Sequence, residues 1–204
     1  MNSEQWQFFF RWFHVIAGIT WIGMLYFFNF INVPLQAALD DQTKKSANPQ
    51  LMPRALWWFR WGAMMTLLAG LALFVIIYMY TPGIGWGVNP LYESAGGLTT
   101  RGRWITLGMA FGCIMWFNVW FIIWPAQKKL LRGLVPAEQI PAVRKRAGFF
   151  SRVNTYLSGP MLFGMLGANH FSSASAKSLI AALAVGFAAI WIAIRHAAKV
   201  GKSA

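Results

Sequence analysis

Charged residues are scarce in this chain of 204 residues, of which Asp, Glu, Lys and Arg together make up 11%. Soluble domains usually carry about 25%, so the shortage argues against an ordinary soluble domain and indicates lipid as the main solvent. The net charge of +13 would suit nucleic acid. However, the basic residues cluster between apolar segments, a pattern that orients membrane proteins. No soluble basic domain is present to bind nucleic acid.

Cysteine is nearly absent, since Cys113 is the sole one in the sequence. One cysteine cannot form an internal disulfide, and there is no Cys-x-x-Cys-His sequence for covalent haem attachment. The apolar segments contain no Asp or Glu, which argues against a proton pump with a buried carboxylate relay. Zinc and P-loop motifs are also missing. Electron transfer through a bound cofactor remains compatible with this composition.

Hydrophobic residues, in contrast, make up 57% of the chain, with 12 Trp and 17 Phe. A membrane-spanning helix needs about 20 mostly apolar residues, and helix is the default because backbone groups in lipid must pair within the segment. The sequence therefore predicts an all-α protein, a single transmembrane domain over residues 1–204 with five spanning helices. The predicted spans are about 8–31, 55–80, 104–124, 149–171 and 178–197.

The basic residues differ in number between the two sides of these segments. With five spans, the first and third connections and the C-terminal tail share one side, and cytoplasmic loops carry an excess of Lys and Arg. We expect the N-terminus outside, the C-terminus inside, and a multi-pass protein of the bacterial inner membrane. The richer side holds Lys44, Lys45, Arg54, Lys128, Lys129, Arg132, Arg144, Lys145, Arg146, Arg152, Arg195, Lys199 and Lys202, and the other side Arg11, Arg101, Arg103 and Lys177.

Prolines and asparagines give further expectations within these spans. Proline is tolerated at helix ends, so we expect Pro34, Pro53, Pro82 and Pro125 at or just beyond them. Proline inside a helix causes a kink, which predicts one at Pro160. The asparagines inside the spans, Asn29, Asn118, Asn154 and Asn169, should each hydrogen-bond to a neighbouring helix.

Two histidines dominate the functional interpretation. His14 lies inside the first span, where an ionisable residue is costly and marks a functional site, and His170 closes the fourth. With the orientation above, both belong to the outer half of the membrane. Two imidazoles from different helices of a bundle can ligate one haem iron, so the sequence predicts a b-type haem between them. A lone membrane histidine that only bonds another helix is the alternative.

Several neighbours suit such a site. Glycines on the faces of the helices would leave room for a flat macrocycle, cations at the outer side would pair with haem propionates, and a polar residue beside a ligand could orient its ring. Glycine faces also serve plain helix packing, and methionines are alternative sixth ligands. The predicted cofactor-binding residues besides His14 and His170 are Gly18, Trp21, Gly108, Gly112, Arg11, Arg101, Arg103 and Asn169.

Three ordered segments carry a resemblance to a known family. They are residues 11–23 (RWFHVIAGITWIG), residues 117–128 (FNVWFIIWPAQK), and residues 151–163 (SRVNTYLSGPMLF) followed by Asn169 and His170. Together they resemble the N-terminal membrane domain of the membrane-bound, cytochrome c-linked urate oxidase family. The first segment resembles, more weakly, the membrane protoporphyrinogen oxidase family.

The resemblance implies a haem-associated membrane oxidoreductase or electron-transfer protein that passes electrons to a c-type cytochrome or a partner subunit. It leaves open whether the chain is itself an enzyme and whether urate is its substrate. Two other classes stay open: a non-enzymatic anchor or assembly subunit of a respiratory complex, and a transporter, which the lack of inverted repeats disfavours. Faces rich in small residues are also compatible with a homo-oligomer.

Overall fold

The described residues of the computed structural model, 2–81, 83–94 and 96–201, form five long helices. This confirms the prediction of an all-α protein. In chain order the helices are α1 (Ser3–Ala38), α2 (Asp41–Met79), α3 (Thr100–Leu131), α4 (Ile140–His170) and α5 (Ala176–Ala197). A two-stranded hairpin, β1 (Tyr80–Thr81) and β2 (Gly85–Trp86), follows α2.

Four of these helices, α1, α2, α3 and α5, are long and apolar enough to span a membrane. Helix α4 is the more polar one, because its first half carries Arg144, Lys145, Arg146 and Arg152. A membrane-embedded helical bundle is thus supported by the structure, whereas a fifth span through α4 remains a prediction.

The helices extend beyond the predicted spans because polar end residues cap them. The Asn2 side chain accepts a hydrogen bond from the Gln5 N–H, and the Gln5 side chain pairs with the Asn2 N–H, which completes a capping box at the start of α1. At the start of α2 the Asp40 carboxylate accepts from the Thr43 N–H and hydroxyl. These bonds hold the pKa of Asp40 below its usual value.

The expectation that Pro34, Pro53 and Pro125 mark helix ends is wrong, because all three lie inside continuous helices. Wider π-helical turns, Phe27–Asn32 and Asn118–Ile123, directly precede the turns that contain Pro34 and Pro125. A proline ring clashes with the carbonyl of the residue four before it, and a wider turn relieves that clash. Pro160 also lies within α4, as expected, and Pro82 is outside the described residues.

Consecutive helices pack side by side, most extensively α1 on α2, α3 on α4, and α4 on α5. The direction of the chain alternates, so the bundle has two different ends. We call the end with the N-terminus, the β1–β2 hairpin and the α4–α5 connection the hairpin end. The opposite end, which contains the α1–α2 and α3–α4 connections, is the basic end.

Candidate functional site

His14 lies in the contact between α1 and α2. Its Nδ1 is 2.8 Å from the Thr66 carbonyl oxygen. Gly70, one turn further along α2, gives the imidazole its room: a Cβ there would lie 3.0 Å from His14 Cε1 and 3.2 Å from Nδ1. A glycine in α2 therefore allows the ring to reach the backbone of the neighbouring helix.

This hydrogen bond also sets the tautomer of His14. A carbonyl oxygen can only accept, so Nδ1 carries the proton and Nε2 keeps its lone pair. Within the described residues no hydrogen bond uses Nε2, and this atom is not sealed inside the protein. Metal-ligating histidines typically donate their second ring N–H to a carbonyl or carboxylate in this way. His14 is thus prepared to donate a lone pair from Nε2.

The predicted glycines divide into two kinds. A Cβ at Gly18 would meet only Thr66 Cγ2 at 3.9 Å, and one at Gly112 only Met165 Cε at 3.8 Å, so a methyl group would fit at either position in ordinary contact. A Cβ at Gly108, in contrast, would lie 2.8 Å from the Met165 backbone nitrogen. Gly108 therefore serves the close approach of α3 and α4, whereas Gly18 and Gly112 are not required for a backbone contact.

His14 and His170 both lie toward the hairpin end of the bundle. Helices α1 and α4 are antiparallel, joined by the Tyr26–Ser158 hydrogen bond. His14 is twelve residues before Tyr26 and His170 twelve residues after Ser158, so each lies about 18 Å along its own helix from that bond. That both histidines belong to one half of the membrane stays a prediction.

The faces of the two histidines differ. At about 100° per residue, His170 is rotated roughly 120° around α4 from Ser158, toward the side of Gly159, which contacts α5. Asn169 is rotated only about 20° and shares the side of Ser158. Both residues are exposed, and no hydrogen bond links Asn169 to the His170 ring within the described residues. Ligation by His170 and its orientation by Asn169 remain predictions.

Trp21 is 3% exposed, and its backbone packs on α2 at Gly62, where a Cβ would lie 3.0 Å from the Trp21 nitrogen. Its indole Nε1 is buried without a hydrogen-bond partner among the described residues. Trp21 therefore anchors the α1–α2 contact one to two turns below His14 and leaves one N–H donor unused.

Arg103 has a structural use. Its Nε donates to the Leu98 carbonyl at 3.0 Å and its NH1 to the Ala174 carbonyl at 3.2 Å. It ties the hairpin loop to the α4–α5 connection with two of its five N–H donors.

Arg101 lies at the same end of the bundle, and its guanidinium is 5.2 Å from the Tyr78 ring centroid. Its Nε is buried without a hydrogen-bond partner among the described residues and is sealed from ligands. Arg11 is exposed and donates to the Gln7 side chain at 3.4 Å. In Arg101, only the terminal guanidinium nitrogens are therefore available to an anion.

Polar contacts between helices lie closer to the basic end. The Asn29 amide donates to Ser151 Oγ at 2.9 Å, and Asn118 donates to Asn154 Oδ1 at 2.8 Å. The prediction that the asparagines of the spans bond neighbouring helices is therefore confirmed for Asn29, Asn118 and Asn154. It is wrong for Asn169, whose exposed side chain makes no hydrogen bond within the described residues.

The sequence interpretation missed the Tyr26–Ser158 hydrogen bond, at 2.9 Å. The Ser158 hydroxyl donates to the Thr155 carbonyl, so the Tyr26 hydroxyl is the donor to Ser158. A serine within an apolar segment was the signal available in the sequence, because a hydroxyl there needs a partner.

A comparison with models of known protein families found a match over almost the whole chain. The family model described as "Urate oxidase N-terminal" matches residues 1–48, 41–90 and 86–203. Searches of curated proteins and of solved structures found no match.

Proposed function

The chain belongs to the urate oxidase N-terminal family, and from this premise we propose that it is a membrane redox protein that binds a b-type haem through His14. Electrons would leave to a c-type cytochrome or a partner subunit. Urate is the first substrate to test, because the family is named for its oxidation. The proposal includes five spans with the N-terminus outside and the C-terminus inside.

The observation that carries the proposal is the environment of His14. The Thr66 carbonyl fixes the imidazole with Nε2 unprotonated. Gly18 and Gly112 each present a helix face without a side chain, and the proposal places the macrocycle beside them. The terminal guanidinium nitrogens of Arg101 would pair with a propionate. His170 is the proposed second ligand because it also lies toward the hairpin end, and Met165, whose Cε lies near Gly112, is the alternative.

The roles of the protein follow from these contacts. The haem would supply one-electron chemistry. His14 would supply a lone pair, and the Thr66 carbonyl would raise the basicity of that ligand and hold its ring. The surrounding apolar helices would exclude water, and exclusion of water together with axial ligation sets the reduction potential of haem proteins.

The test is the absorption spectrum of the detergent-purified full chain, with a pyridine haemochrome assay for haem type and stoichiometry. We expect a Soret band and one b-type haem per chain. His14→Ala should remove it, whereas His196→Ala, a histidine near the basic end, should leave it unchanged. A well-folded wild type without a Soret band, or an unchanged band in His14→Ala, would refute the proposal.

The second ligand is identified by two further variants. His170→Ala should convert a low-spin spectrum to a high-spin one while haem stays bound. If Met165→Leu causes that change instead, Met165 is the ligand and the bis-histidine form of the proposal is wrong.

A further inference from the structure

A cavity of about 290 Å³ lies between α1, α2, α3 and α4 in the half of the bundle toward the basic end. It is distant from His14, since Asn29 in its wall comes fifteen residues later in α1, or about 22 Å along the axis. A ligand in this cavity would therefore be separate from the proposed haem and would go beyond the proposed function.

The cavity lies at the level where three apolar segments end. Its wall residues in α1, α2 and α3 fall within 28–33, 52–59 and 123–127, and the predicted spans of these helices end on this side at about residues 31, 55 and 124. Trp57 and Trp58 of α2, at the same level, are 46% and 57% exposed, and tryptophan favours the membrane–water interface. These positions match the headgroup layer of a bilayer.

Three side chains in the wall have hydrogen-bond donors without a partner. Within the described residues, Arg152 makes neither an ion pair nor a hydrogen bond. Gln127 makes no side-chain hydrogen bond in the same part of the chain, and its amide is not sealed off. Ser151 Oγ accepts from the Asn29 amide at 2.9 Å, so the hydroxyl hydrogen of Ser151 is left to donate. A guanidinium, an amide and a hydroxyl that lack acceptors suit the oxygens of a phosphate group.

The chain beside the cavity is strongly basic. The segment 125–152, which connects the wall residues of α3 to those of α4, contains seven Lys or Arg residues and one acid, Glu138. Basic residues near a membrane surface attract anionic lipids by about 1 kcal/mol each, and basic pockets between membrane helices bind the headgroups of such lipids. The charge therefore favours a lipid with a net negative charge over a zwitterionic one.

The remaining wall favours a lipid over a free phosphate ion. Val33 and Met52 add apolar side chains that are not fully buried. On α4, Gly148 is exposed, and a Cβ there would meet no atom within 4 Å, so the wall is open at this position. The volume equals roughly ten water molecules, which is room for a phosphate with its glycerol but not for two acyl chains.

We propose that this cavity binds the headgroup of an anionic glycerophospholipid, such as phosphatidylglycerol, from the leaflet on the basic side. Arg152, Gln127 and Ser151 would donate to the phosphate oxygens. Val33 and Met52 would contact the glycerol, and the acyl chains would extend into the bilayer.

The test is native mass spectrometry of the purified full chain in detergent. The protein is titrated with phosphatidylglycerol or with phosphatidylcholine of the same acyl chains, which has the same phosphate but no net charge. We expect the first phosphatidylglycerol molecule to bind about tenfold more tightly than phosphatidylcholine, since the second lipid carries a cation into a basic site.

Two variants and one control locate the site. Arg152→Gln should weaken binding of phosphatidylglycerol about tenfold or more, the usual effect of losing a charge-assisted hydrogen bond. Gln127→Leu should weaken it about fivefold without a change of charge, and it decides the matter if Arg152→Gln does not fold. Arg146→Gln, at an exposed position of α4 outside the cavity, removes the same charge but no hydrogen bond, and should weaken binding far less than Arg152→Gln.

Any of four results would overturn the inference. The first is equal affinity of the folded wild type for the two lipids, and the second is binding that neither Arg152→Gln nor Gln127→Leu weakens. The third is equal weakening by Arg146→Gln and Arg152→Gln, which would identify the basic surface and not the cavity as the binding site. The fourth is displacement of phosphatidylglycerol by millimolar inorganic phosphate, which would identify a soluble anion as the occupant.

These results are independent of haem. A chain that prefers phosphatidylglycerol but lacks a Soret band would refute the haem proposal and leave this one standing, and the reverse also holds.

Discussion

Helices α3 and α4 are held together in different ways in the two halves of the bundle. Toward the hairpin end, backbones touch directly: a Cβ on Gly164 would lie 2.6 Å from the Gly108 nitrogen. Toward the basic end, side chains make the contacts. Asn118 bonds Asn154, and the Arg60 guanidinium lies 3.8 Å from the Trp124 ring centroid.

Both kinds of contact follow from the lipid that surrounds the helices. Lipid tails are as apolar as leucine, so helices in a membrane associate through close packing of small residues or through polar bonds. Glycine contacts bring two backbones together, as at Gly108 and Gly164. Polar contacts place side chains between the helices, as at Asn118 and Asn154.

The largest loss of stability should come from adding a methyl group at a close backbone contact in the hairpin half. Gly164→Ala places a methyl group against the Gly108 backbone, and overpacking of this kind costs about 2–3 kcal/mol. Gly112→Ala makes the same change where the new methyl group would lie 3.8 Å from Met165 Cε, an ordinary contact, so it should leave stability unchanged or raise it by up to about 1 kcal/mol through helix propensity. Reversible unfolding in mixed micelles measures both. Equal losses would contradict the distinction between the two kinds of glycine.

A smaller loss of stability is expected when a polar contact in the half toward the basic end is removed. Asn154→Leu removes the acceptor for Asn118 and the donor to the Met115 carbonyl, which should cost about 1–2 kcal/mol. Asn169→Leu, an exposed asparagine of the same helix, is the control and should cost nothing measurable. Unfolding in mixed micelles measures both variants. An Asn154→Leu protein as stable as wild type would show that packing, without these hydrogen bonds, holds α3 and α4 together in this half.

The smallest loss of stability should follow removal of the Tyr26–Ser158 hydrogen bond, which lies between the two halves. Tyr26→Phe removes one hydroxyl and leaves Ser158 bonded to its own helix, so the loss should be about 0.6 kcal/mol, the average for such bonds in membranes. A double-mutant cycle with Ser158→Ala isolates the pair. A coupling energy near zero would mean that α1 and α4 are not joined at this point.

The helices could be predicted from the sequence because each needs only a long apolar segment, and backbone pairing in lipid leaves no other local structure. Their ends could not be predicted as well. Pro34 and Pro125 were expected to end helices, but the π-helical turns before them let each helix continue. Whether such a π-helical turn forms depends on how the flanking helices pack. Rules that consider only the local sequence do not describe that packing.

The candidate site was predictable in part. His14 was identified because an ionisable residue in lipid must have a partner. The partner of His14 was not predictable, since it is a backbone carbonyl of α2 that only Gly70 makes accessible. The same applies to the cavity of about 290 Å³ toward the basic end, whose lining residues come from α1, α2, α3 and α4.

The sequence by itself determined that this is a helical membrane protein with an intramembrane histidine, because composition and apolar length act along one segment at a time. The tertiary structure alone decided which nitrogen of His14 is free, which glycines are in backbone contact and which would tolerate a methyl group, and that Arg152 and Gln127 line one cavity. These properties depend on distances between helices, and such distances are set by side chains far apart in the chain.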